Sequence, residues 1–172
     1  MPNFSPMIRA ALMVSDLDVS RAFYEDVLGL DDVFVEGELS EGNIAEVLAV
    51  PDSTHTRACI LKRTGQPEYG MVGLFELTKP QPEPITRAST GMNRGEVCIV
   101  FYCDDLDVVT AKLEAGGHTI VSPAAPLRIR GFVKQREMIF RDPDGVLVNL
   151  IEWDLSCEDK PEKWSGVPES DV

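Results

Sequence analysis

The tetrapeptide Asp16-Leu17-Asp18-Val19 returns as Asp105-Leu106-Asp107-Val108, and the surroundings of the two copies match. Each copy follows an apolar, strand-like run: Met7 to Val14 before the first, Val97 to Cys103 before the second. Each opens a helical pattern. Val19, Phe23 and Val27 fall at i, i+4 and i+8 ahead of Gly29, and Val109 and Leu113 repeat the spacing ahead of Gly116-Gly117. Ser15 or Asp16, and Asp104 or Asp105, offer the short side-chain oxygen that accepts first-turn amide hydrogens at a helix N-cap.

Working outward, strands follow each helix. The first half predicts strands at Val33 to Val35, Thr56 to Leu61 and Met71 to Thr78, with a short helix at Asn43 to Leu48 in extra material from Glu36 to Pro51. The second half predicts His118 to Val121, Gln135 to Phe140 and Val146 to Trp153. Asp142-Pro143-Asp144-Gly145 has the carboxylate, proline and final glycine of a tight turn joining the last two as a hairpin. The order strand, helix, three strands therefore occurs twice, an α+β arrangement of two βαβββ modules. The first spans 7–78, a proline-bearing linker 79–95, and the second 96–154. The polar tail 155–172 reads as disordered or as an arm laid on a neighbour.

Composition bounds the function. The chain has 172 residues, 44% of them hydrophobic, and a net charge of −13. That field repels a phosphate backbone, so nucleic acid is excluded as a partner. No apolar run reaches the roughly 18 residues of a membrane span, and no signal peptide precedes Ser15, so the expected location is the cytoplasm. Cys59, Cys98, Cys103 and Cys157 form no C-x-x-C pair, and His55 and His118 are the two histidines.

Alternation sorts the strands into two faces. Ile8, Ala10, Leu12 and Val14 oppose Arg9, Ala11 and Met13; Gly73, Phe75 and Leu77 oppose Val72, Leu74 and Glu76. Val97, Ile99 and Phe101 oppose Glu96, Cys98, Val100 and Tyr102, while Val148 and Leu150 oppose Asn149 and Ile151. One face of each sheet reads as core. The other is apolar with isolated polar groups (Arg9, Glu76, Glu96 and Asn149), the character of a small-molecule site.

With these residues in hand, the chain resembles the vicinal oxygen chelate superfamily, the glyoxalase/bleomycin-resistance/dioxygenase fold. The resemblance rests on Val14-Ser15-Asp16-Leu17-Asp18-Val19-Ser20-Arg21-Ala22-Phe23-Tyr24, Leu28-Gly29-Leu30, Leu74-Phe75-Glu76-Leu77, Asp104-Asp105-Leu106-Asp107, and Phe140-Arg141-Asp142-Pro143-Asp144-Gly145 through Leu150-Ile151-Glu152. It covers Met7 to Trp153. It implies paired curved sheets around a cup-shaped pocket, a small-molecule ligand, and commonly a homodimer. Its enzymes hold a divalent metal with four side chains, one on the first and one on the last strand of each module. Transferred here, those positions are Arg9, Glu76, Cys98 and Asn149.

Arginine does not ligate a cation, and one carboxylate does not hold a metal alone. No metal cofactor is therefore expected; an altered site would draw on Glu76 with His55 or Glu96. Arg9 is expected in the metal's volume with Glu76 beside it, as a sealing ion pair or as a catalytic pair. In the catalytic version Arg9 binds a substrate carboxylate or enolate and Glu76 is the general base. Met13, Glu96, Cys98, Tyr102 and Asn149 complete the expected substrate-binding set. The resemblance thus implies a glyoxalase-like protein that binds a small carbonyl or carboxylate compound, with metal-independent isomerase or lyase-type chemistry. The alternatives are a non-catalytic sequestration protein of the bleomycin-resistance type and a metal enzyme with altered ligands.

Overall fold

The computed structural model describes residues 4–39, 41–87, 91–127 and 135–153. Its first half runs β1 (Arg9–Val14), α1 (Leu17–Leu28), β2 (Asp32–Glu38), α2 (Ile44–Leu48), β3 (His55–Lys62) and β4 (Met71–Thr78). Its second half runs β5 (Cys98–Cys103), α3 (Leu106–Ala115), β6 (Ile120–Leu127), β7 (Gln135–Arg141) and β8 (Leu147–Trp153). The strands form two four-stranded mixed sheets, ordered β1-β4-β3-β2 and β5-β8-β7-β6. The first and last strands of each module pair in parallel, and the rest are antiparallel. This is the expected α+β architecture of two βαβββ modules.

The helix ends follow from local chemistry. Asp16 caps α1, its Oδ1 accepting from the amides of Asp18 and Val19 at 3.0 Å each. Asp105 caps α3 in the same way, at 2.9 and 3.1 Å. Gly29 ends α1 at φ 64°, a left-handed conformation that costs a side-chain-bearing residue about 1 kcal/mol or more. The buried side of α1 is Leu17, Ser20, Phe23, Tyr24 and Val27, whereas Val19 is 54% exposed. The predicted Val19–Phe23–Val27 stripe is therefore rotated toward Leu17 and Ser20. On α3, Leu106, Val109 and Leu113 are buried, as the spacing predicts.

Strand β6 departs from the sequence reading. Ile120–Leu127 is extended through Pro123 and Pro126, beyond the predicted strand end at Val121. It is an edge strand with two register shifts against β7, and a missing proline amide is tolerated at such an edge. The expected tail 155–172 lies outside the described residues.

The chain divides into two compact units, Met1–Glu96 with Asp142–Gly145, and Val97–Arg141 with Val146–Val172. The Asp142–Gly145 turn thus groups with the first unit. The Tyr24 hydroxyl donates to Asp142 Oδ2 at 2.8 Å with both residues buried. Ser20 Oγ donates to Asp144 Oδ2 at 3.1 Å, and the Ser15 amide to Asp144 Oδ1 at 2.9 Å. Burial, reinforced by the Asp142 charge, pushes the Tyr24 hydroxyl far up, so it stays a proton donor. Among the described residues no helix is long and apolar enough to cross a membrane.

Candidate functional site

Each sheet has one face toward its helix, and the charges on that face are engaged. Arg57 of β3 reaches Glu76 Oε2 of β4 at 3.0 Å and Asp18 Oδ1 of α1 at 3.0 Å. The second module repeats the arrangement. Arg136 of β7 reaches Glu152 Oε1 of β8 at 3.2 Å and Asp107 Oδ1 of α3 at 2.6 Å. Hydrogen bonds and charge from Asp18, with Glu76 adding, push the Arg57 guanidinium up; Asp107 does the same to Arg136. Glu152 Oε2 also accepts the Leu106 amide at 2.7 Å, tying β8 to the start of α3. The second aspartate of each Asp-Leu-Asp is therefore one corner of a helix-docking ion network.

This repetition corrects the placement of Glu76. Strands β1 and β4 pair with Val14 opposite Glu76 and Arg9 opposite Met71. The two residues are five positions apart in register, roughly 16 Å along the strands, and on opposite faces. The expected Arg9–Glu76 pair is not formed. Glu76 corresponds to Glu152 in the second module, each the last residue of a Leu-x-Glu triplet. Three residues earlier stand Gly73 and Asn149, opposite Ala11 and Val100 respectively. The first-module counterpart of Asn149 is thus Gly73. Aligning the two Leu-x-Glu triplets is the sequence signal that reveals this.

The face away from α1 carries Arg9, Ala11 and Met13 of β1, Met71, Gly73, Phe75 and Leu77 of β4, and Thr56, Ala58 and Ile60 of β3. A Cβ on Gly73 would lie 3.0 Å from Phe75 Cε2 and 3.3 Å from Arg9 Cδ. The arginine stem and the phenyl ring therefore close over the space that the glycine leaves. Leu39, Leu48 and Val50, from the segment carrying α2, pack against Ala58, Phe75 and Leu77. Arg9 is half-buried and makes no hydrogen bond or ion pair among the described residues.

In the second module the corresponding face carries Cys98, Val100 and Tyr102 of β5, Leu147, Asn149 and Ile151 of β8, and Gln135, Glu137 and Ile139 of β7. Glu137 was not anticipated from the sequence. Its Oε2 accepts from Asn149 Nδ2 at 3.2 Å, its Oε1 accepts from Gln135 Nε2, and Asn149 Nδ2 also reaches the Met138 carbonyl at 3.2 Å. Asn149 is buried, while Val100 and Tyr102 are exposed. Met13, Cys98, Tyr102 and Asn149 thus lie on the predicted faces.

Glu96 does not. It precedes β5, grouped with the first unit, where it pairs with Arg87 at 3.5 Å and accepts the Asn93 amide at 2.9 Å. His55 stands on the helix side of β3, opposite Thr78, at the exposed strand end. No three His, Cys, Asp or Glu side chains converge on a metal-sized space among the described residues. The positions that the repeat makes equivalent to the family's ligands are Arg9, Gly73, Cys98 and Asn149. A guanidinium, a bare backbone, one thiol and an amide do not fit a divalent ion.

These two modules, and the sheet faces they present, define a member of the vicinal oxygen chelate class. The chain belongs to the Glyoxalase/Bleomycin resistance protein/Dioxygenase superfamily, whose family model matches residues 7–150. It is 27% identical over 146 residues to the uncharacterized protein YaeR of Escherichia coli (strain K12), covering 83% of this chain and 92% of YaeR. It is 29% identical over 83 residues to Glyoxylase I 4 of Arabidopsis thaliana, 48% of this chain, and spans 45% of that relative's length. A glyoxalase family protein from Bacillus cereus shares the fold with a TM-score of 0.72 at 17% identity, covering 88% of this chain and 95% of the other.

Proposed function

We propose that this protein binds a small organic anion, a carboxylate in the first instance, on the first-module face away from α1, with Arg9 as the charge-recognising residue. The reading is of a binding protein of the bleomycin-resistance type rather than an isomerase or lyase. The observation that carries it is the half-buried Arg9 guanidinium, set over Gly73 beside Phe75 with no carboxylate partner among the described residues. A half-buried cation lacking an anion is costly, and a bidentate carboxylate relieves that cost. Met13, exposed on the same face, offers apolar surface for the body of the ligand. Glu76, the general base of the catalytic alternative, is engaged by Arg57 on the opposite face.

No step of this reading passes through a metal. Calorimetric titration of the full chain with benzoate and branched aliphatic carboxylates tests it. Saturable binding that weakens at least roughly tenfold in Arg9→Ala is expected, with a smaller loss in Arg9→Lys, which keeps charge but not the two-pronged geometry. Absence of carboxylate binding, or equal binding by Arg9→Ala, refutes it.

A further inference from the structure

We propose that the second-module face away from α3 is a recognition site, where Glu137 receives the ammonium group of an organic amine with an apolar or aromatic body. It goes beyond the Arg9 reading, and every residue that it rests on belongs to the second module.

The carboxylate is held in place. Both oxygens accept amide hydrogens, one from Gln135 and one from Asn149, so its direction is fixed by neighbours on its own strand and on β8. Asn149 is itself fixed by burial and by the Met138 carbonyl. Each carboxylate oxygen retains a second lone pair. Glu137 is half-buried, and no cation pairs with it among the described residues. The helix-side acids Glu152 and Asp107, by contrast, share Arg136. A half-buried negative charge without a counter-charge favours a ligand that brings one.

The neighbours define the rest of the ligand. Across the sheet, Tyr102 stands opposite Ile151, Ile151 opposite Glu137, and Glu137 opposite Ala125. One row thus runs from an exposed aromatic through an aliphatic residue to the carboxylate and ends on a small side chain. Strands are about 4.8 Å apart, so Tyr102 and Glu137 are about 10 Å apart at their backbones. That span suits a ring resting on Ile151 and Tyr102 with an ammonium group one or two carbons away. In the first module the residue corresponding to Glu137 is Ala58, buried beneath Leu39, Leu48 and Val50, so this site has no twin there.

The test is calorimetric titration of the full-length protein at neutral pH with benzylammonium, benzyl alcohol and benzoate, which share a ring and differ in charge. Benzylammonium is expected to bind saturably to Glu137-bearing protein, with benzyl alcohol at least about tenfold weaker. Glu137→Gln should lose roughly tenfold or more in benzylammonium affinity. Glu114→Gln, an equal charge change on the exposed side of α3, should stay within about twofold, which separates the site from general attraction to an acidic protein. Should Glu137→Gln not fold, Glu137→Asp withdraws the charge from both amides and is expected to weaken binding at least about fivefold. No benzylammonium binding by the native protein, equal binding of benzyl alcohol, or unchanged affinity in the Glu137 variants overturns the proposal. Benzoate binding that depends on Arg9 bears on the first-module reading alone.

Discussion

Replacing Tyr24 with Phe removes a single oxygen from the most enclosed aromatic of the first unit. Tyr24 is 0% exposed and Asp142 4% exposed, so no water is placed to take over the 2.8 Å bond between them. Phe fills the same ring volume, and no cavity term enters. The loss is that of a buried hydrogen bond to a charged acceptor, about 1.5–3 kcal/mol. At about 2–4 °C per kcal/mol for a chain of this size, the midpoint of thermal unfolding should fall by about 3–12 °C. Urea unfolding of the native protein, Tyr24→Phe, Asp142→Asn and the double variant supplies the cycle. The two single losses should couple by at least about 1 kcal/mol, with an unchanged denaturant slope. A Tyr24→Phe loss below about 0.5 kcal/mol, or additive single effects, refutes the view that this bond fastens the Asp142–Gly145 turn.

Three further outcomes follow from the geometry. Gly73→Ala places a Cβ 3.0 Å from Phe75 and 3.3 Å from Arg9, so benzoate affinity should drop severalfold while stability falls by about 1 kcal/mol, read by titration and urea unfolding on one sample. Arg136 holds the Asp107 carboxyl below its ordinary 3.8, so the ion pair contributes stability above that pH and loses it as pH falls through the lowered value; the gap between native protein and Arg136→Met should be full at pH 6 and close below about pH 4 in unfolding curves. Burial, helped by the Glu152 charge, pushes the Cys103 thiol up to about 11, and burial also raises Cys59, so both should label slowly with a disulfide reagent at mildly alkaline pH and at the rate of exposed thiols once urea unfolds the chain.

The doubled strand–helix–three-strand order was legible because its signals are local: Asp caps, stop glycines, alternating apolar positions and a proline–glycine turn. Alternation alone orients β1, β5 and β8, but it leaves open which side of β4 meets the helix, and the register puts Glu76 there rather than beside Arg9. What failed was anything set by a distant partner. Ser20 is buried in place of Val19 because its hydroxyl meets Asp144, 124 residues away. The adjacency of β1 and β4 suggests an Arg9–Glu76 pair, but parallel register sets the two apart and gives the carboxylate to Arg57. The sequence pattern ends this strand at Val121, because Pro123 is barred from an inner strand, and only the sheet order shows that β6 lies at an edge. Glu137 gives no local signal, because its orientation depends on Asn149 across the hairpin, a relation invisible within any short window.

The two Asp–Arg–Glu networks divide labour between the sides of each sheet. Helix attachment is written twice in the same letters, whereas Arg9 and Cys98, Gly73 and Asn149, Ala58 and Glu137 share nothing but position. Arg9, Cys98 and Glu137, the half-buried members of those three pairs, take no part in either network, whereas Ala58 and Asn149 are buried and Gly73 has no room for a side chain. A library randomised at Arg9, Cys98 and Glu137, with Asp18, Arg57, Glu76, Asp107, Arg136 and Glu152 left intact, leaves both helix attachments untouched.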